Sequence, residues 1–135
     1  MLTNWERDEI KAAAEFLDDF GYTQTEDEYS ISYKLDDICI SIVCPPNADE
    51  SDIIVRFIEK NAVFSVGWIA LVRDNIKARK GLLANMKALL KYIEEKYFQI
   101  TDYRFCLESD LLIDQYVEAH RDIYDKAVQD FLNKI

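Results

Sequence analysis

The side chains best suited to chemistry at neutral pH are few: one histidine, His120, and three cysteines, Cys39, Cys44 and Cys106. A nucleophilic cysteine needs a base or a positive environment that lowers the pKa of its thiol. No residue next to Cys106 in the sequence provides one, so Cys106 would act as a nucleophile only if His120 reached it. Otherwise we expect Cys106 to be a buried, unreactive thiol.

The same residues argue against a metal site. A single histidine excludes a ligand pair of histidines. Cys39 and Cys44 differ by an odd number of positions, so on one regular strand they would point to opposite faces and could not share a metal. Three glycines are too few for a loop that cradles phosphate. We therefore expect no cofactor and no metal, and an odd number of cysteines implies no disulfide framework.

His120 and the acidic residues are the remaining candidates for catalysis. His120 falls within the apolar arc of the last predicted helix, where a core histidine is expected and a catalytic base is the alternative. Acidic residues are abundant, but no pair of carboxylates is marked by an apolar setting that would raise the pKa of one of them. We expect that the protein is not an enzyme. An enzyme would need two acids facing each other in an apolar pocket.

Helical signals open the chain, and alternating strands follow. The first helix is predicted over Asn4–Phe20, with a capping box formed by Thr3 and Glu6 and with Gly21 in a left-handed conformation at its end. Alternation of apolar and polar residues predicts four strands. Because the links between them are short, the strands form an antiparallel meander. They are predicted over 29–35, 38–42, 52–57 and 62–72.

Helical spacing returns in the second half of the chain. One helix is predicted within Ile76–Tyr97, then a possible strand over Tyr103–Leu107, and a last helix over Asp110–Asn133 with Ser109 as its N-cap. The fold class is therefore α+β. It comprises a four-stranded antiparallel meander, with an N-terminal helix and two C-terminal helices packed on the sheet. Residues 1–135 are expected to form a single domain.

Charge restricts the class of partner. The 135 residues contain 16 Lys and Arg against 26 Asp and Glu, a formal net charge of −10. Such a protein is unsuited to binding nucleic acid or an anionic membrane surface. The charge is unevenly distributed, with −11 over residues 1–59, +5 over 60–104 and −4 over 105–135. No signal peptide is visible and the longest apolar run is too short to span a membrane, so we expect a cytoplasmic protein.

The last helix carries the most regular charge pattern. Asp110, Asp114, Glu118 and Asp122 recur every four residues, and Asp125 lies on the same face. Like charges at this spacing cost about 0.2–0.5 kcal/mol per pair. The row is either a solvated face or an acidic stripe matched to a cationic partner. Together with the acidic link Asp36-Asp37, these residues are our candidates for partner binding.

Size, acidity and element order together resemble the small acidic immunity proteins of bacterial polymorphic-toxin and contact-dependent growth inhibition systems. The resemblance covers the whole chain and rests on no motif, so no family residue is carried over. It implies a cytoplasmic module that binds a cognate toxin, commonly a basic nuclease, and neutralises it by occlusion. Aromatic side chains near the acidic row, Tyr116 or Tyr124, would serve as anchors.

A second hypothesis is a protein similar to the acidic type III secretion chaperones, which hold a segment of an effector. Those chaperones resemble three strands, a helix and two more strands. In this chain four strands are predicted before the second helix, so the order of elements favours the first hypothesis.

Overall fold

The computed structural model describes residues 2–134, except for the side chain of Tyr124. The helices are α1 (Asn4–Ala13), α2 (Glu15–Asp19), α3 (Val66–Asp74), α4 (Leu82–Glu95), α5 (Tyr97–Ile100) and α6 (Tyr103–Asn133). The strands are β1 (Thr23–Glu26), β2 (Ser30–Leu35), β3 (Ile38–Val43), β4 (Asp52–Phe57) and β5 (Ala62–Ser65), and a single 3₁₀ turn covers Ala48–Glu50. The α+β class is confirmed.

The five strands form one antiparallel sheet in the order β1-β2-β3-β4-β5. Alternation places one set of side chains on a single face, and the register aligns them across the strands: Ile31 faces Ile42, which faces Ile53. These side chains are fully buried against the helices. The opposite face is more polar and includes Ser32 and Ser41, whose hydroxyl groups lie 2.8 Å apart. All the helices that contribute to the core therefore lie on one side of the sheet.

The prediction of four strands was one too few because it missed β1, and it made the last strand too long. Strand β1 has the sequence Thr-Gln-Thr-Glu and is mostly exposed, so it lacks the apolar alternation that identified the others. The predicted strand over 62–72 stops at Ser65. Its second half is α3, in which Val66, Ile69 and Ala70 are buried at helical spacing. A short apolar run fits the two-residue period of a strand as well as the 3.6-residue period of a helix. Its periodicity alone therefore does not distinguish the two.

The helix boundaries also differ from those predicted. The capping box is confirmed, since the Glu6 amide donates to Thr3 Oγ1 and the Thr3 amide donates to Glu6 Oε1. The first helix is interrupted at Ala14, whose ψ of 8° lies well outside the helical range, so α2 is separate from α1. The left-handed conformation predicted at Gly21 is confirmed by its φ of 98°.

Helix α6 starts seven residues earlier than predicted. Residues 103–107 are its first turns and not a strand, and the cap is Asp102, whose carboxylate accepts from the Arg104 amide at 3.1 Å. Ser109 is buried inside the helix and is not its cap. The alternation of aromatic and polar residues at 103–105 is too short to outweigh a good N-cap followed by a helical pattern.

Asp52 connects the sheet to the start of α3. Its carboxylate accepts hydrogen bonds from the Ser65 hydroxyl, from the Gly67 amide at 3.1 Å and from the Ile53 amide at 2.7 Å. Ser65 in turn caps α3 by accepting from the Trp68 amide at 3.1 Å. A negative side chain at a helix N-terminus also interacts favourably with the helix dipole. This junction fixes the direction in which α3 leaves β5.

Gly67→Ala tests this junction. A methyl group at Gly67 would lie 2.9 Å from Asp52 Oδ1. Glycine to alanine normally stabilises a helix by roughly 0.5–1 kcal/mol. Here we expect the opposite, a loss of about 1–3 kcal/mol in the free energy of unfolding in urea, because the contact is overpacked. In an Asp52→Ala background the same substitution should be neutral or stabilising. An equal loss in both backgrounds would contradict the contact.

Candidate interaction site

The first part of α6 is held against α3 by Arg73. Arg73 Nε donates to Ser109 Oγ at 3.0 Å, and its guanidinium lies 4.3 Å from the centre of the Phe105 ring. The Ser109 hydroxyl donates to the Phe105 carbonyl at 2.7 Å, which keeps its lone pairs available to Arg73. Glu108 adds an ion pair with Arg73 at 3.8 Å. We call the sheet and helices α1 to α5 the body of the protein. These contacts fix the position of α6 along the body.

The body ends at a pair of aromatic residues. The rings of Trp68 on α3 and Tyr116 on α6 meet edge to face, with centroids 6.0 Å apart. Every side chain that the structure describes from Asp114 to Lys134 is exposed. At 1.5 Å per residue, this part of the helix extends over roughly 30 Å. We call residues 114–134 the projecting segment.

The projecting segment has an apolar stripe. The stripe continues the face that buries Cys106, because positions spaced by three, four and seven residues stay on one side of a helix. Ile123 is 69% exposed and Phe131 is 64% exposed, although both residue types are usually buried. The described members of the apolar stripe are Tyr116, Val117, Ala119, Ile123, Ala127, Val128 and Phe131.

The predicted acidic residues of α6 lie on the other side of the same helix. We call Asp110, Asp114, Glu118, Asp122 and Asp125 the acidic row. Glu118 pairs with Arg121 at 3.2 Å, the one ion pair that a member of the row makes among the described residues. Asp110 is half-buried, and burial together with the charge of Asp114 raises the pKa of its carboxyl. The rest of the row is exposed to solvent.

The other two predicted residues, Asp36 and Asp37, lie in the turn between β2 and β3, away from the projecting segment. The Asp37 carboxylate accepts from the Glu59 amide at 2.6 Å, which ties it to the link between β4 and β5. Lys60 in that link lies 4.7 Å from the centre of the Tyr103 ring, at the start of α6. Asp122 comes 19 residues later, about 28 Å along the helix. The structure therefore does not bring Asp37 to the far end of the row.

Asp37 and Asp36 also differ in what surrounds them. Asp37 is partly buried and has a structural role, since its carbonyl group accepts from the Ile58 amide at 2.8 Å. Asp36 is exposed, with a φ of 51° in the turn between β2 and β3. It lines a shallow depression on the open face of the sheet together with Lys34 and Arg56, whose positive charges offset its own. Neither residue adds to the acidity of the projecting segment.

The histidine and the cysteine considered for catalysis are also separated. Cys106 is fully buried, its thiol donates to the Ile100 carbonyl at 3.3 Å, and burial raises its pKa to about 12. His120 is exposed, stacks on Tyr116, and has its Nδ1 2.8 Å from the Tyr116 carbonyl oxygen. A separation of 14 residues puts them roughly 21 Å apart along the helix. They do not form a nucleophile and base pair.

The prediction of a core histidine was wrong for a simple reason. His120 does lie on the apolar side of α6, but the helix has already left the body at that point. The sequence pattern reports which side of the helix is apolar and not whether anything covers it. The anchor Tyr124 lies outside the described side chains.

A cleft next to Trp68 was not predicted from the sequence. It has a volume of about 390 Å³ and lies between the 3₁₀ turn, the start of α3 and the residues before α4. Asp49, Glu50 and Lys77 line it, and Trp68 borders both the cleft and Tyr116. Asp52 also reaches it, but its carboxylate is already occupied by three donors. The residue that could have revealed the cleft is Ser65. Because Ser65 caps α3, the helix begins there and places Trp68 on the surface.

Two kinds of feature are absent from residues 2–134. Within that range, no three His, Cys, Asp or Glu side chains are grouped so as to hold a metal ion. No helix there combines the length and the apolar character that crossing a membrane requires.

Asp110→Asn tests the electrostatics where α6 leaves the body. A raised carboxyl pKa means that the folded state binds the proton more tightly than the unfolded state does. The free energy of unfolding therefore falls as the pH rises from the pKa of the unfolded state to that of the folded state. The variant should therefore be more stable than the wild type in urea at pH 7, by about 0.2–0.5 kcal/mol for one like-charged neighbour. In the unfolded state the carboxyl group has a pKa of about 3.9, and below that pH the variant and the wild type should be equally stable.

Asp122→Asn is the matched control, because Asp122 also has an acidic neighbour four residues away but is exposed. Its gain in stability at pH 7 should be smaller than that of Asp110→Asn. An equal gain at both pH values for Asp110→Asn would show that its charge is not responsible.

Comparison with known proteins found no matching family model, no matching curated protein and no matching solved structure. The function of the chain is therefore inferred from its own geometry and charge.

Proposed function

We propose that the protein is a protein-binding module, and that it serves as an immunity protein that neutralises a cognate basic toxin domain by occlusion. The observation that carries the proposal is the projecting segment, a helix end of about 30 Å whose described side chains are all exposed. The four members of the acidic row that lie in it, Asp114, Glu118, Asp122 and Asp125, make it negatively charged on one side, and Asp110 extends the row onto the body. The projecting segment is the part of the described chain best placed to enter another protein's binding site.

An uncovered helix of this kind implies a partner. In proteins most helical stability comes from packing an apolar face against other elements rather than from helix propensity. The apolar stripe runs about 23 Å along the helix from Tyr116 to Phe131. Continuous apolar surface bordered by polar residues is typical of sites of protein interaction.

The charge of the segment favours a basic partner. The acidic row lies on a chain with a net charge of −10, and Glu118 is its one member with an ion pair within residues 2–134. Complementary potentials raise the rate of encounter by about 10- to 1,000-fold. A row of carboxylates also offers a nuclease the same pattern of charge as the phosphates of its substrate. Basic nucleases are therefore the toxin class that this surface suits best.

The mechanism follows from the shape of the segment. A single helix is about 10–12 Å across and can enter a groove that a globular body cannot. Tyr116, at the base of the segment and 36% exposed, would anchor the edge of the contact. The toxin would then be blocked because its substrate and the helix compete for one site.

The alternative, a protein similar to the type III secretion chaperones, is less well supported. Those chaperones place a helix after their third strand. Here five consecutive strands precede α3, since the link between β3 and β4 contains only a short 3₁₀ turn. The order of elements therefore continues to favour the immunity hypothesis.

A charge reversal tests the acidic row. We expect the triple variant Asp114→Lys, Glu118→Lys and Asp122→Lys to lose protection of cells that express the toxin, because the association rate should fall at least tenfold. The toxin to use is the variable C-terminal domain of a large secreted protein encoded immediately upstream, and the absence of such a gene would count against the immunity function. Growth of the cells and circular dichroism of the purified variant are the measurements.

The matched control reverses three exposed acids on α1 and α2, Asp8, Glu15 and Asp19, which changes the net charge by the same amount. This control should still protect. Protection by the row variant would contradict the role of the row, and a neighbouring domain that is harmless to cells would contradict the immunity function itself.

A further inference from the structure

The cleft beside Trp68 has the size and the apolar lining that are typical of ligand sites. Its volume of about 390 Å³ falls within the roughly 300–1,000 Å³ of clefts that bind small molecules. Trp68 is 41% exposed, so its indole ring offers a surface on which an apolar group can pack. The apolar lining comes from α3, from α4 and from the segment between them, and consists of Trp68, Leu71, Ile76, Ala78, Ala88 and Leu89.

Charges of both signs line the same cleft. Asp49 and Glu50 lie on the wall formed by the 3₁₀ turn, whereas Lys77 lies on the wall formed by the segment between α3 and α4. Among residues 2–134, neither acid forms an ion pair with Lys77 or with any other base. The third acid of the cleft, Asp52, already accepts three hydrogen bonds. Two carboxylates and one ammonium group therefore remain available to a ligand.

Asn85 adds a neutral donor to the wall that carries Lys77. Its Oδ1 accepts from the Arg79 amide at 3.0 Å, which holds the side chain in the first turn of α4. The Nδ2 group, with its two N–H donors, is not engaged by that bond. An ammonium group together with an amide donor suits a carboxylate, because hydrogen bonds to charged groups are the strong ones. The cleft thus combines an anionic wall, a wall of donors and an apolar wall.

We propose that this cleft binds a free α-amino acid with an apolar side chain. The ammonium group of the ligand faces Asp49 and Glu50, its carboxylate faces Lys77 and Asn85, and its side chain packs on Trp68. A simple amine would leave Lys77 without a partner, and a simple carboxylic acid would leave both acids without one. Covering a charge without pairing it is unfavourable, so a zwitterion is the class of ligand that matches all three walls.

The cleft belongs to the body and not to the projecting segment. Its lining residues lie between Asp49 and Leu89, and none of them is on α6. Trp68 meets Tyr116 at the base of the segment, so the two regions are neighbours without sharing their charged groups. Binding of an amino acid therefore leaves the acidic row free. The ligand site and the proposed function can be tested separately and can fail independently.

The fluorescence of Trp68 measures binding directly. The chain has two tryptophans, and Trp5→Phe leaves Trp68 as the only one. Trp5 is 62% exposed on α1, so its replacement should not disturb the fold. The ligands to use are L-leucine, L-isoleucine, L-methionine and L-phenylalanine. We expect at least one of them to change the emission saturably, with a Kd between about 1 µM and about 1 mM. Glycine, which has no apolar side chain to bury, should bind about tenfold more weakly or worse.

Analogues of the best ligand test each wall. Its amide lacks the carboxylate and its N-acetyl derivative lacks the ammonium group, so each should bind about tenfold more weakly. Lys77→Ala should weaken binding of the amino acid by a similar factor and leave binding of the amide unchanged. The double variant Asp49→Asn/Glu50→Gln should weaken the amino acid and leave the N-acetyl derivative unchanged. Lys80→Ala removes an exposed charge outside the cleft and is the matched control, which should bind normally.

Three outcomes overturn the proposal. The first is no saturable change with any of the four amino acids up to about 10 mM, ten times the weakest expected Kd. The second is an amide or an N-acetyl derivative that binds as tightly as the amino acid, which would make the cleft a site for a cation or an anion alone. The third is binding that Lys77→Ala and Lys80→Ala weaken equally. The thermal transition of each variant reports that it is folded.

Discussion

The length of α6 is the constraint from which the other features follow. A helix of 31 residues is about 46 Å long, whereas small domains are about 30 Å across. The remaining chain can therefore cover only part of it. Arg73 and Ser109 determine which part, because their hydrogen bond and the stacking on Phe105 fix the first turns of α6 against α3.

The exposed remainder of the helix separates two kinds of interaction by face. One side carries the acidic row and the other carries the apolar stripe, and the two sides suit different kinds of contact. Charge acts at long range and influences the rate and selectivity of encounter, whereas apolar burial supplies affinity only on close contact. Within the proposed function, one helix would attract a basic partner with one side and pack against it with the other.

Much of the fold could be predicted from local signals. The capping box of Thr3 and Glu6 and the three inner strands were identified because each depends on residues close together in the chain. Strand β1 was missed because it is a polar edge strand, stabilised by pairing with β2 rather than by its own alternation. Residues 66–72 were assigned to a strand because an apolar run does not reveal its own period. The capping contacts of Asp52 and Ser65 decide for a helix there.

The acidic row and the apolar arc of the last helix were determined by the sequence alone, since helical periodicity places residues four apart on one side whatever surrounds them. What covers each side was decided only by the tertiary structure. Cys106 and His120 belong to the same apolar arc, yet Cys106 is buried and His120 is exposed. The physical reason is that periodicity is a property of the helix itself. Burial depends on where distant residues such as Arg73 and Trp68 attach the helix to the body.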